Sequence, residues 1–212
     1  ASTCGLATSL AWSMDGSVTY VFEGNINYTG AVVTWLQEDM GLVRSTVELE
    51  KAVEHANKKD TTVLIPAFSG LSAPYWNDRA KAMIYGMTRT TGKNEVIKAG
   101  LESIAYQIKD VLDAMEKDSQ IKIKELRVDG GPTKNKYLMQ FQSDIADVTV
   151  SIPQWEELSA IGAAYMAGIS QGIYQKDTVF AKDKRIYFKA GMKPEERFEK
   201  CRNWEAAISL LR

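Results

Sequence analysis

Apolar residues change their period several times along the chain, and each change marks an element. In residues 6–24, LATSLAWSMDGSVTYVFEG, Val18, Tyr20 and Phe22 alternate with polar positions, and Asp15-Gly16 is a hairpin-turn pair. The chain is therefore expected to open with two antiparallel strands. The period then lengthens. Val32, Trp35, Leu36 and Met40 share one face of a helix over about 29–39. Ser45-Thr46-Val47-Glu48 has the capping-box pattern and starts a short helix that reaches Ala56. TTVLIPAF at 61–68 reads as a buried strand closed by Pro66. A loop carrying Gly70 and Pro74 leads to a short strand, MIYGM, at 83–87.

The steadiest pattern follows. Ile97, Leu101, Ile104, Ile108, Leu112 and Met115 keep a spacing of three or four, which predicts a long central helix over 94–118. Residues 121–128 alternate with charges and predict a strand. A helix is expected over 133–147, a strand over 148–152, and an Ala- and Gly-rich helix over 156–170. Small residues there would let another backbone pack closely. A strand-like piece at 185–189 precedes a terminal helix over 194–211, with Pro194 in its first turn. A hairpin followed by alternating helices and strands predicts an α/β fold with a mixed sheet, antiparallel first and parallel later. The whole span 1–212 reads as one domain.

Composition narrows the function classes. The 212 residues are 45% hydrophobic and 25% charged, with net charge −1. No basic field points to nucleic acid or acidic lipid, and no apolar run reaches a membrane span. The first residues, ASTCGLATSLAWS, lack the regions of a signal peptide, so a cytoplasmic setting is expected. They also lack an initiator Met, so the chain is expected to be part of a longer protein. Cys4 and Cys201 are expected as free thiols, and His55 as a surface histidine at a helix end. Asn27-Tyr28-Thr29 matches a glycosylation sequon, which reads as chance without a secretion signal. The chain has no Walker A loop, no G-x-G-x-x-G, no G-x-S-x-G and no zinc spacing. No metal site is expected.

One feature carries candidate chemistry. In RVDGGPTKNK, a strand runs into Asp129-Gly130-Gly131, a helix starts at once, and Asn135 follows four residues later. Strand-to-helix turns sit where ligands bind in α/β sheets. Glycines there would let a flat ring lie on the peptide planes, and helix-start amides could meet phosphate or ribose oxygens. Spacing alone leaves a plain tight turn as the simpler reading. Tyr28-Thr29-Gly30-Ala31 repeats the device, with Thr34 one turn into its helix. Glu102 and Asp144 in helices and Asp78 in a loop are expected on solvated faces, and no catalytic carboxylate pair stands out.

Four separated segments, PAFSGLSAPYWNDRAKAMIYGMTR, AGLESIAYQIKDVLDAM, LRVDGGPTKNKYLMQFQSDIA and SAIGAAYMAG, together make the chain similar to the carboxy-terminal half of the FGGY carbohydrate kinases. The resemblance runs in order through residues 5–190 and looks strongest to members that phosphorylate glycerol. It implies a ribonuclease-H-like domain of the actin/hexokinase/Hsp70 ATPase type, with part of its amino-terminal strands missing. It implies that this half holds the adenosine of ATP, with Mg²⁺ and a small polyol or sugar as the other ligands of the whole protein. The family's D-G-G-x-x-x-N motif falls on Asp129, Gly130, Gly131 and Asn135, and its nucleotide-contacting glycine on Gly30. The position one turn later is often Gln in the family and is Thr34 here, a shorter reach. The catalytic aspartate of a G-D-Q segment, and a phosphate-binding G-T-G, belong upstream of Ala1. No catalytic residue is therefore assigned, and the chain by itself is expected to be inactive. A pentulose or hexulose kinase half and a non-catalytic actin-like assembly module remain as alternatives. A face left without the catalytic domain would also favour a homo-oligomer.

Overall fold

The computed structural model describes residues 1–14, 16–154, 158–176, 178–179 and 184–212. β1 (Ala7–Met14) and β2 (Ser17–Glu23) form the expected antiparallel hairpin, with Ala7 opposite Glu23 and a register shift between Leu10 and Trp12. Gly16 supplies the left-handed turn conformation at φ +76°; Asp15 lies outside the described residues. Both faces of this hairpin meet solvent: Tyr20 is 68% exposed, and Val21, which points to the other face, is 36% exposed.

α1 (Gly30–Thr34) widens into a π-helical turn over Trp35–Asp39, where the Met40 N–H donates to the Trp35 carbonyl at 3.0 Å. Val32 and Leu36 are fully buried as expected. Met40 is not. The wider turn rotates it off that face, and it is 47% exposed. α2 (Thr46–His55) starts at Ser45, whose hydroxyl accepts from the Glu48 N–H at 3.2 Å. The Glu48 carboxylate turns to the Arg44 N–H instead of the Ser45 N–H, so the box is displaced by one residue. His55 is exposed, and its Nδ1 lies 2.6 Å from the Lys51 carbonyl.

β3 (Val63–Ile65) pairs antiparallel with β4 (Met83–Tyr85). α3 (Lys93–Ser119) is the central helix, and every residue from Ala99 to Tyr106 is buried. Gly100 lets α1 and the π-helical turn come close, since a Cβ there would lie 3.4 Å from Val32 Cγ1 and 2.8 Å from Leu36 Cδ1. At the helix start, the Asn57 and Gly92 N–H groups donate to Glu95. The Asn57 bond is the main cause that holds the Glu95 carboxyl below its ordinary range.

β5 (Glu125–Arg127) runs parallel to β6 (Thr149–Pro153), and β7 (Arg185–Phe188) runs antiparallel to β6. The mixed pairing is thus present. It is confined to this three-stranded sheet, and the β1–β2 and β3–β4 pairs stand as two further small sheets. The strand expected over 121–128 pairs only at 125–127, and Ile121 is 67% exposed.

α4 (Lys136–Ala146) buries Leu138, Met139, Phe141 and Ile145. α5 (Leu158–Ser170) follows β6, and of its residues only Gly168 is buried. Residues 156 and 157 of the expected helix lie outside the described residues. α6 (Pro194–Ser209) closes the core with Trp204, 2% exposed and stacked on Tyr106 at 4.9 Å. Burying a side chain of that kind contributes on the order of 2–3 kcal/mol. Cys4 and Cys201 are both free.

Candidate functional site

β5 delivers Asp129 and Gly130 to the carboxyl end of the three-stranded sheet, and a 3₁₀ turn over Gly131–Lys134 leads into α4. The Val128 N–H donates to the Ser151 carbonyl at 3.0 Å, which ties the end of β5 to β6. Gly130 has φ +89° and ψ 178°, a conformation nearly closed to side-chain-bearing residues. Its glycine is required by the turn. Gly131 is different. Its φ is not in the left-handed region, and a Cβ built there would meet no protein atom within 4 Å. Packing against the rest of the chain therefore does not explain why residue 131 lacks a side chain, although Pro132 after it restricts larger residues in this helical turn.

Open space lies beside it. Asp129, Gly130, Gly131 and Thr133 line a cavity of about 550 Å³ together with Ile152, Pro153, Ile186 and Phe188. Apolar strand ends and a bare peptide therefore share one hollow. Two hollows of about 590 Å³ lie elsewhere, walled by charges of both signs such as Glu102 and Lys200, without the glycine turn.

Asn135 is 7% exposed, and its Oδ1 accepts from the Leu138 N–H at 2.8 Å, so it caps α4. Its Nδ2 makes no hydrogen bond within the described residues, but Asn135 does not itself line the 550 Å³ cavity. The Thr133 hydroxyl donates to the Gly130 carbonyl at 2.7 Å and braces the turn.

The second glycine turn repeats the open geometry. A Cβ on Gly30 would also meet nothing within 4 Å. Thr34 is exposed, and its hydroxyl lies 3.5 Å from the Gly30 carbonyl. Upstream, the Tyr28 ring packs edge-on to Phe68 at 5.0 Å, and Trp35 lies 4.9 Å from the same ring. Those contacts anchor α1 on the PAFSG loop. Gly30 and Thr34 do not line the 550 Å³ cavity. What joins the two turns is α3, which packs against both α1 and α4.

The expected solvated carboxylates divide. Asp78 is exposed. Glu102 is only 4% exposed and accepts a 2.5 Å hydrogen bond from the Tyr137 hydroxyl, with Lys98 Nζ at 3.8 Å. Asp144 accepts from the Gly191 N–H at 2.7 Å and the Met192 N–H at 3.1 Å. It fastens the segment before α6 to α4. Both corrections have one cause: α3 and α4 lie inside the core, so their polar faces meet other elements. The run of small residues Ala99, Gly100, Ser103 and Ala105 around Glu102 was the available signal, since small residues on every face mark a helix enclosed on every side.

Among the described residues, no group of three His, Cys, Asp or Glu side chains could hold a metal ion. Among the same residues no helix is long and apolar enough to cross a membrane.

A parallel strand, a glycine turn and a capped helix around a hollow are the features of an α/β ligand-binding domain. Residues 2–171 match the model of the FGGY family of carbohydrate kinases, C-terminal domain, and the chain belongs to that family. A glycerol kinase of Bacillus velezensis is 44% identical over 207 residues, covering 97% of this chain and 42% of that protein. The crystal structure of Plasmodium falciparum glycerol kinase with ADP superposes with a TM-score of 0.90 at 34% identity, over 99% of this chain and 42% of that one. A ligand-bound xylulose kinase from Lactobacillus acidophilus has a TM-score of 0.82 at 18% identity, over 97% of this chain and 41% of that one, and so shares the fold. These neighbours place the domain in the ribonuclease-H-like ATPase fold. The chain spans less than half the length of the relatives it matches.

Proposed function

We propose that this chain is the ATP-binding half of a glycerol kinase, and that the whole protein transfers the γ-phosphoryl group of ATP to a terminal hydroxyl of glycerol. The observation that carries the site is the bare floor at Gly131. A residue with open space around it has no side chain, and it lines a hollow. Adenosine lying on that peptide supplies the reason. The Asn135 Nδ2 donates to an acceptor on the base or ribose, and the Gly30–Thr34 turn meets the nucleotide from α1. Thr34, shorter than the Gln common in the family, makes a weaker contact. Asp129 precedes the turn and shapes its entry.

The division of labour follows from phosphoryl-transfer chemistry, in which positioning, metal charge and a base lower the barrier. This half supplies positioning. The base, the polyol contacts and the ligands that complete Mg²⁺ coordination come from the remainder of the whole protein, in a cytoplasmic enzyme. Mg²⁺ arrives with the phosphates, which supply part of its shell. The 44% identity to a glycerol kinase favours glycerol over a pentulose or hexulose.

Gly131→Val places methyl groups where the base would lie. Titration with ADP should show affinity reduced by roughly tenfold or more, with the fold intact by circular dichroism. Equal affinity in parent and variant would remove the site assignment. This chain alone should form no ADP from MgATP and glycerol; sustained ADP release would contradict the division of labour.

A further inference from the structure

Helix α3 holds both glycine turns with side chains from consecutive helical turns. Gln107 Nε2 donates to the Tyr28 carbonyl at 3.1 Å, two residues before Gly30, and to the Ser103 carbonyl at 3.1 Å. Glu102 accepts from the Tyr137 hydroxyl, two residues after Asn135. Along the helix axis Glu102 and Gln107 are about 7.5 Å apart. Both project from the stretch around Ala99–Tyr106, which is buried throughout, so the two turns hang from one stiff segment.

The chemistry of the Glu102–Tyr137 pair matters. Apolar side chains could pack α3 against α4 at less cost, since a buried carboxylate loses its hydration. What a buried, directional hydrogen bond adds is a fixed distance and register. Lys98 offsets part of the charge at 3.8 Å. Burial first, and then the Glu102 carboxylate, push the Tyr137 hydroxyl far above its usual range, so it stays a donor at every working pH. The Tyr137 ring also stacks parallel to Phe141 at 6.1 Å, which keeps the side chain aimed.

We infer that Glu102, Tyr137 and Gln107 are positioning residues that set the separation of the Gly30 turn from the Gly131–Asn135 turn. Adenosine is then gripped from two sides at a fixed gap. The inference rests on reading the two turns as the nucleotide site, and it extends that reading to residues that do not touch the ligand. Binding constellations of this kind tolerate errors of only about 0.5 Å in their supports.

The test uses the intact protein. Tyr137→Phe deletes one hydroxyl and keeps the ring. Affinity for adenosine, ADP and ATP should each fall by the same factor, roughly tenfold, because the phosphates are not involved. KM for ATP should rise while kcat and the KM for the polyol stay put. Gln107→Ala should reproduce the pattern and carries the test if Tyr137→Phe does not fold. Glu116→Gln, at the far end of α3 where the carboxylate accepts from the Ile123 N–H, should lower the melting temperature and leave nucleotide affinity alone. A melting-temperature loss in Tyr137→Phe and Gln107→Ala with unchanged affinity overturns the inference and spares the site. A loss confined to ATP overturns it as well. If the parent binds no adenosine nucleotide, the site reading falls and takes the inference with it.

Discussion

Helices α4 and α5 follow neighbouring strands and meet opposite fates. α4 is amphipathic, capped by Asn135, and buries Leu138, Met139, Phe141 and Ile145. α5 is the more apolar of the two and has no charged residue, yet only Gly168 is buried and Met166 is 45% exposed. Apolar content therefore does not decide burial here. A helix is buried when a complementary surface lies opposite, and of these two helices it is α4 that packs broadly on α3. The exposed hairpin β1–β2 belongs with α5 in this respect. The hairpin and α5 are thus two poorly covered apolar regions of the chain.

The largest expected effect tests that contrast directly. Leu138→Ala should cost about 3 kcal/mol of unfolding free energy, from lost transfer energy plus a cavity. Met166→Ala should stay within about 0.5 kcal/mol, as for surface positions generally. Urea unfolding of both variants reads the difference. Comparable losses at the two sites would mean that α5 is as well packed as α4, and the contrast would collapse.

A pH experiment sharpens the same comparison, because the buried frame holds a titrating group that α5 lacks. Asp110 on α3 accepts from Tyr75 and from Trp204 Nε1, each at 2.8 Å. Burial raises its carboxyl from 3.8 to about 6, against the pull of those two bonds and of Lys109; Asp113 pushes in the same direction as burial. The folded state thus holds the proton more tightly than the unfolded chain. The contribution of this group is full below pH about 4 and is lost as pH rises through about 6, on the order of 3 kcal/mol. Asp60, Glu95 and Glu116 are shifted the other way, so the informative quantity is parent minus Asp110→Asn. That difference should change between pH 4 and pH 6.5. A flat difference would show that Asp110 does not titrate in the frame.

The smallest effect concerns the uncovered faces. Sedimentation of the chain should show concentration-dependent association, weakened by Met166→Lys with little change in stability. A clean monomer at high concentration would argue that these faces need no partner.

Some of this was legible in the linear pattern. The 3–4 spacing from Ile97 to Met115 predicted α3 within a residue or two, because a single enclosed helix writes its burial directly into its period. The hairpin, the Ser45 cap and the glycine turn were readable for a similar reason: each depends on residues close in sequence. The D-G-G-x-x-x-N spacing marks Asp129, Gly130, Gly131 and Asn135 in the sequence, although local pattern alone favours a plain turn and only the wider resemblance points to a ligand.

Tertiary structure decided the rest. That Gly130 adopts a left-handed conformation and that Gly131 faces empty space depends on dihedral angles and on packing, and neither is encoded in a four-residue motif. The π-helical turn that exposes Met40 comes from hydrogen bonding across a widened turn, invisible to a fixed 3.6 period. Glu102 looked like a solvated acid because its partner, Tyr137, is 35 residues away and on another helix. The sequence by itself determined the helices, the turns and the family. Only the packing of α3 between α1 and α4 decided which polar groups face one another, because that depends on contacts between distant segments and not on the period of any one of them.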